Sequence, residues 1–165
     1  MFHIRQAVFA DRPTIAHQRT SIFQELDRVS LSQIEMLQDA TVAYLADAMP
    51  AGQYVGWLAT PAVAPERVVA GCGVIVRNIA PFPMRWPDGE EGIAGGRQVL
   101  VVNVYTEPEF RRQGLARRLL ATMLDWARRN GVDSVILHAT DAARPLYTSL
   151  GFEPTNEMRF MGDLR

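Results

Sequence analysis

QVLVVNVY, residues 98–105, is the stretch that most limits how this chain folds. It is a near-continuous apolar run interrupted only by Asn103, so an extended chain here needs cover on both faces. A strand of this kind belongs inside a sheet that has helices on both sides. The following residues supply such a helix. After the turn RRQGLA, residues 111–116, a helix is predicted from about Gln113 to Asn130, with Leu115, Leu119, Met123 and Ala127 on one stripe. Gly131 is placed to end it, and DSVILHA, residues 133–139, reads as another buried strand. Strand, helix and strand from Gln98 to Ala139 make a βαβ unit, whose strands run parallel through a right-handed crossover.

Upstream, His3 to Val8 alternates weakly, and Asp11 with Pro13 opens a helix reaching about Leu26. SQIE, Ser32 to Glu35, has the pattern of a capping box and starts a second helix carrying Ile34, Leu37, Leu45 and Met49, which stops at Pro50. Tyr54–Thr60 and Arg67–Arg77 read as a hairpin of buried strands. Residues 78–97 are rich in Pro and Gly, carry Trp86 and show no clean period, which predicts a long loop. Near the end, AARPLYTSL is a short helix stopped by Gly151, and FEPTNEMRFMGDL a terminal strand or hairpin. The order β-α-α-β-β-β-α-β-α-β predicts an α/β (α+β) fold, a mixed β-sheet flanked by helices, in one domain over residues 1–165.

Charge narrows the function classes. Seventeen basic residues, all arginine, face 18 acidic ones for a net charge of −1, so no overall field recruits nucleic acid or an anionic membrane. Any anion site must be local. Cys72 is the only cysteine, which excludes an internal disulfide framework and a CxxC metal pair. Lying between Gly71 and Gly73, it reads as a small buried side chain. No run approaches the roughly 20 apolar residues that span a bilayer, and nothing at the start reads as a leader. These features predict a cytoplasmic protein with no metal, no nucleic-acid partner and no membrane partner.

The local anion site is RRQGLA. A turn from a strand into a helix N-terminus presents backbone N–H groups that have no partner within the helix, aligned with the positive end of the helix dipole. Such a turn suits phosphate. Gly114 removes a Cβ from the approach, Ala116 keeps the next wall shallow, and Arg111, Arg112 and Arg117 add positive charge. The Gly-Lys-Ser/Thr ending of a P-loop and the glycine triplet of a dinucleotide fold are both missing.

RRQGLA also fits an Arg/Gln-x-x-Gly-x-Gly/Ala signature. AARPLYTSLGF fits a second one, a small residue four before a tyrosine and then Gly-Phe, here Ala143, Tyr147, Gly151 and Phe152. With both in this order on strand, helix, strand and helix, the chain resembles the GCN5-related N-acetyltransferase family, most sharply from Gln98 to Phe152. That resemblance implies acetyl-CoA as cosubstrate. Its pyrophosphate would lie on Arg111, Arg112, Gln113, Gly114, Leu115, Ala116 and Arg117, mainly on backbone N–H groups from Arg112 to Arg117. It further implies a bulge in the preceding strand at Val104, Tyr105 and Thr106, freeing backbone groups for the pantetheine amides, with Thr140 and Ala143 on the other side. Thr140 stands where relatives often have asparagine.

For the chemistry, Tyr147 matches the tyrosine that protonates the CoA sulfur, and a backbone N–H near Tyr105 would polarise the thioester carbonyl. Many relatives carry a carboxylate base in the first half of the strand, whereas here that half reads Gln98 to Val101. Asn103 either orients a water that takes the proton or is a structural amide. Glu107 and Glu109 read as solvated turn residues, and His138 as a core histidine bonded to backbone. The acceptor implied is an amine of a small molecule, peptide or protein. Glu25, Asp27, Asp88, Glu90 and Glu91, with Trp86, favour a cationic one. A non-catalytic acyl-CoA-binding regulatory module is the alternative, and homodimerisation stays open.

Overall fold

The computed structural model describes residues 1–86, 88–155 and 158. In chain order the elements are β1 (Phe2–Gln6), α1 (Arg12–Glu25), α2 (Ile34–Ala48), β2 (Tyr54–Pro61), β3 (Ala70–Asn78), β4 (Phe82–Arg85), β5 (Glu91–Ala94), β6 (Arg97–Thr106), α3 (Leu115–Arg129), β7 (Ser134–Leu137) and α4 (Arg144–Thr148). Among the described residues the main sheet has the order β1-β2-β3-β6-β7. Its β6–β7 pair is parallel and the others are antiparallel. The apolar run thus lies inside the sheet, as its composition requires, and the βαβ unit forms as expected.

The two faces of the sheet bury different partners. On one, Val55, Trp57, Cys72, Val74, Val99 and Val101 meet the stripe of α3 built from Leu115, Leu119, Leu120 and Met123. Full burial of each large apolar side chain stabilises by about 1.5–3 kcal/mol relative to exposure. Trp57 meets Trp126 edge to face at 5.5 Å, tying the back of α3 to β2. On the other face Ile15 of α1 and Leu45 and Ala48 of α2 pack with Tyr54 and Leu58. On this face Gly71 leaves no room for a side chain, because α1 comes so close that a methyl group there would sit 2.1 Å from Gln18 Oε1.

Several boundaries differ from expectation. Residues 78–97 are not a long loop: β4 and β5 pair as an antiparallel hairpin, Phe82 opposite Ala94 and Arg85 opposite Glu91. Strands of four residues flanked by Pro and Gly carry too short a period to read. The hairpin is closed by Trp86 N–H bonding Glu90 O at 2.9 Å, with the Trp86 ring lying over Gly92. The capping box lies at Ser30 and Gln33, ahead of the expected Ser32 and Glu35, because a 3₁₀ turn at Leu31–Gln33 precedes α2. Helix α3 starts at Leu115 with Gly114 as its N-cap, two residues later than expected. The expected terminal strand falls largely on residues 156, 157 and 159–165, which lie outside the described residues.

Asp11 stands at the start of α1, yet its carboxylate turns back across a short 3₁₀ turn. It accepts from Val8 N–H at 2.7 Å and from both Arg5 terminal nitrogens at 2.7 and 2.8 Å, pinning β1 to the helix entry. The Arg5 hydrogen bonds hold its carboxyl below the ordinary aspartate range. A depressed folded value means a contribution present above the unfolded pKa and lost as pH falls through the folded one. Asp11→Asn is therefore expected to lower stability at neutral pH by about 0.5–1 kcal/mol, the scale of a partly exposed ion pair. Thermal melts should show the gap to the parent closing as pH drops from about 3.9, the unfolded value, through the depressed folded one.

Candidate active site

β6 keeps one neighbour and loses the other. Its pairing with β7 runs from Gln98–Ser134 to Val101–Leu137 and ends there, while pairing with β3 continues to Thr106–Ala70. Within the β3 ladder, Gly73 faces Asn103 but Val74 faces Val101, so Val102 is the extra residue of a bulge. The bulge was expected at Val104 to Thr106 and lies two residues earlier. Beyond it β6 and the chain after β7 part, opening a cleft of about 390 Å³. Val104, Tyr105 and Thr106 line one wall, Thr140, Ala143 and Tyr147 the other, and Glu25 of α1 closes one side.

The cleft continues into the turn before α3. A second hollow of about 370 Å³ is lined by Arg111, Arg112, Gly114, Ala116 and Arg117. Among the described residues the backbone N–H groups of 112–117 have no backbone partner, and the first helical bond runs from Arg118 N to Gly114 O at 3.1 Å. Gly114 has φ 77°, and a Cβ there would meet nothing within 4 Å. Glycine is demanded by conformation, and the space in front of it is open. Arg112 also adopts a left-handed φ of 62°. The side chain of Arg111 is committed elsewhere: its Nε donates to Thr106 O at 2.9 Å and its Nη2 pairs with Glu25. Arg117 donates to Ser149 Oγ at 2.5 Å, joining α3 to α4. Gln113 reaches Glu109 O at 3.4 Å. These contacts brace the turn, and backbone is what it offers outward.

Tyr147 sits half-buried on α4 with its ring edge to face on Phe152 at 5.9 Å. Burial raises its hydroxyl above the ordinary tyrosine value, so it is a neutral donor at neutral pH. His138, expected in the core, is exposed and lines the same cleft. Cys72 is buried, and burial pushes its thiol up to about 12, which removes it as a nucleophile.

Asn103 lies on the opposite face. Its Oδ1 accepts from Arg19 Nη1 at 3.0 Å, and its Nδ2 donates to the Tyr54 hydroxyl at 3.3 Å. All three side chains line a cavity of about 300 Å³ between α1, α2 and the sheet, with Leu37, Leu45 and Ile75 as apolar walls. Val102 lines both this cavity and the cleft, so the two meet at the bulge. Sequence reading missed Arg19 and Tyr54. A signal existed for the first: Arg19 falls between Ile15 and Ile22, at the spacing of an inward helix face. The acidic segment does not line this cavity; Glu91 pairs with Arg85 within the hairpin. Among the described residues no group of His, Cys, Asp and Glu is placed to hold a metal.

The strand that splays at a bulge, the helix N-terminus beside it and the tyrosine opposite are the arrangement expected of an acetyltransferase-type domain. The profile of the acetyltransferase (GNAT) family matches residues 23–152, and the chain belongs to that family. It is similar to human N-acetyltransferase 8, 34% identical over 67 residues that make up 39% of this chain and 30% of that protein. The chain spans about a third of the length of the curated relatives it matches. Its structure is similar to a GCN5-related N-acetyltransferase from Ralstonia eutropha JMP134, 26% identical over 97% of both chains with a TM-score of 0.82. A predicted acetyltransferase from Clostridium acetobutylicum, solved with acetyl-CoA, is 21% identical over 98% of this chain and 96% of that one, with a TM-score of 0.77.

The cavity depends on Gly73, where a methyl group would sit 1.9 Å from the Tyr54 hydroxyl. Gly73→Ala is expected to displace Tyr54 from Asn103 and to cost about 1–3 kcal/mol through overpacking. Urea denaturation of the variant checks this.

Proposed function

We propose that the chain is an acetyl-CoA-dependent N-acetyltransferase that passes the acetyl group directly to a primary amine. The observation that carries this reading is the run of unpartnered N–H groups at 112–117 ending a cleft whose wall is an unpaired strand edge. These N–H groups at the positive end of α3 fit a pyrophosphate, with Gly114 leaving the approach clear. The open edge of β6 from Val102 to Thr106 fits the pantetheine amides as an added strand would, and Thr140 and Ala143 face it. Bound there, the thioester supplies an activated acetyl group.

The residues of the chain do the rest. In this scheme a backbone N–H near Tyr105 polarises the carbonyl as negative charge develops on its oxygen. As the neutral amine nitrogen bonds the carbonyl carbon and the carbon–sulfur bond breaks, the Tyr147 hydroxyl gives its proton to the departing sulfur. The proton shed by the amine passes to water and restores the phenol. In this scheme Asn103 is the structural amide rather than the group that orients a proton-accepting water, because its oxygen accepts from Arg19. It positions the wall of the acceptor cavity. Cytoplasmic residence belongs to the same proposal and draws on the single buried cysteine; no described helix is long and apolar enough to cross a membrane.

Two measurements test the reading. Acetyl-CoA is expected to raise the Tm of the parent by mass action, and Gly114→Val to abolish the rise by filling the open space before the turn. Tyr147→Phe is expected to keep that rise while kcat falls about 10²-fold, the usual loss on removing a placed proton donor. Binding of acetyl-CoA without any amine-dependent release of CoA would instead favour a regulatory acyl-CoA-binding module.

A further inference from the structure

The cavity on the acceptor side of β6 holds a charge that nothing answers. Arg19 is half-buried, its guanidinium 5.0 Å over the Phe23 ring and bonded through Nη1 to Asn103. Guanidinium carries five N–H donors. Among the described residues no carboxylate pairs with it, and the titratable side chains beside it are the neutral phenols of Tyr54 and Tyr44. Half-buried arginines are usually answered by an acid, since desolvating the charge is costly. The other arginine beside the site, Arg111, has Glu25. Burial accordingly holds the Arg19 guanidinium below its ordinary value.

We infer that the acceptor carries a carboxylate next to its amine, and that Arg19 binds this carboxylate. The inference rests on the N-acetyltransferase reading above. Geometry limits how far apart the two groups are. The amine has to reach Val102, where cavity and cleft meet, and Arg19 is bonded to the adjacent Asn103, so amine and carboxylate are close, as in an α-amino acid. Of the remaining walls Leu37, Ala40, Leu45 and Ile75 are apolar and only Thr41 and Tyr44 carry hydroxyls, which favours an apolar side chain. A volume of about 300 Å³ suits a free small molecule. A lysine or an N-terminus within a peptide brings no carboxylate beside its amine and leaves Arg19 unanswered. The acceptor is therefore a free apolar α-amino acid, a zwitterion that adds a carboxylate to the cationic amine the sequence favours.

The test compares L-leucine and L-phenylalanine with leucinamide, phenylalaninamide and 3-methylbutylamine, which keep the amine and the apolar group without the carboxylate. The free amino acids are expected to exceed the others by about 10²-fold in kcat/KM, because a site built to bind a polar group rejects analogues lacking it. Arg19→Gln should erase that preference with the acetyl-CoA thermal shift intact, and Arg19→Lys should restore part of it, charge without the planar fork. Equal turnover of amides and acids, or an Arg19→Gln variant with the parental preference, overturns the carboxylate site and leaves the acetyltransferase reading standing. A second readout is independent of turnover: calorimetry with N-acetyl-leucine against N-acetyl-leucinamide. Arg19-dependent binding of the acid alone supports the site even if no acetyl transfer occurs, and equal binding of both overturns it.

Discussion

One inserted residue governs the working parts of this domain. Along β6 a straight strand would send Val99, Val101, Asn103 and Tyr105 to the same face, against the apolar stripe of α3. The bulge at Val102 breaks that alternation. Val99, Val101 and Val104 pack on the α3 side, while Asn103 turns to Arg19 and Tyr54 on the other. Without it an amide would be buried among Leu119, Leu120 and Met123 with no partner, at a cost of about 1–3 kcal/mol. The pairing of β6 with β7 also ends at the residue before the bulge, which opens the cleft. A single backbone irregularity thus makes the cavity polar at one point and the cleft accessible, and joins them.

Local charge follows a division of labour that the near-neutral composition conceals. Arginine side chains around the turn are largely spent on structure: Arg111 on Thr106 and Glu25, Arg117 on Ser149. Surface pairs of this kind contribute little to stability, but they fix the path of the chain at a turn where the N–H groups of 112–117 have no backbone partner. A preorganised backbone nest needs no side chain to reorient when an anion arrives. Arg19 has the reverse arrangement, with a half-buried cation, one amide partner and an apolar surround. Two places of positive character therefore lie on opposite sides of β6, and the bulge is between them.

The elements that were hard to read share one cause. The β4–β5 hairpin has four residues on each strand and is closed by the bond between Trp86 and Glu90, so no period of useful length exists in residues 82–94. The capping box sits at Ser30 because a 3₁₀ turn precedes α2, and Ser30 and Gln33 satisfy its pattern as well as Ser32 and Glu35 satisfy the one expected. His138 comes directly after a buried-looking run, but β7 stops at Leu137, and the next residue is at the lip of the cleft. In each case several placements were locally equivalent, and the pattern alone did not choose among them.

The sequence by itself determined the interior strand 98–105, the helix that covers it, the parallel strand beyond, the open glycine at 114 and the family signatures that end at Phe152. Those features are set by hydrophobic period and by backbone conformations that few residues other than glycine adopt readily, which are local properties. Which face Asn103 occupies, that Arg19 joins it from 84 positions away in the chain, and that the acidic hairpin stays clear of the cavity were decided only by the tertiary structure. The reason is physical: side-chain period in a strand is two, so one bulged residue inverts every later assignment, and a bulge is set by the register of β3 against β6 rather than by any residue alone.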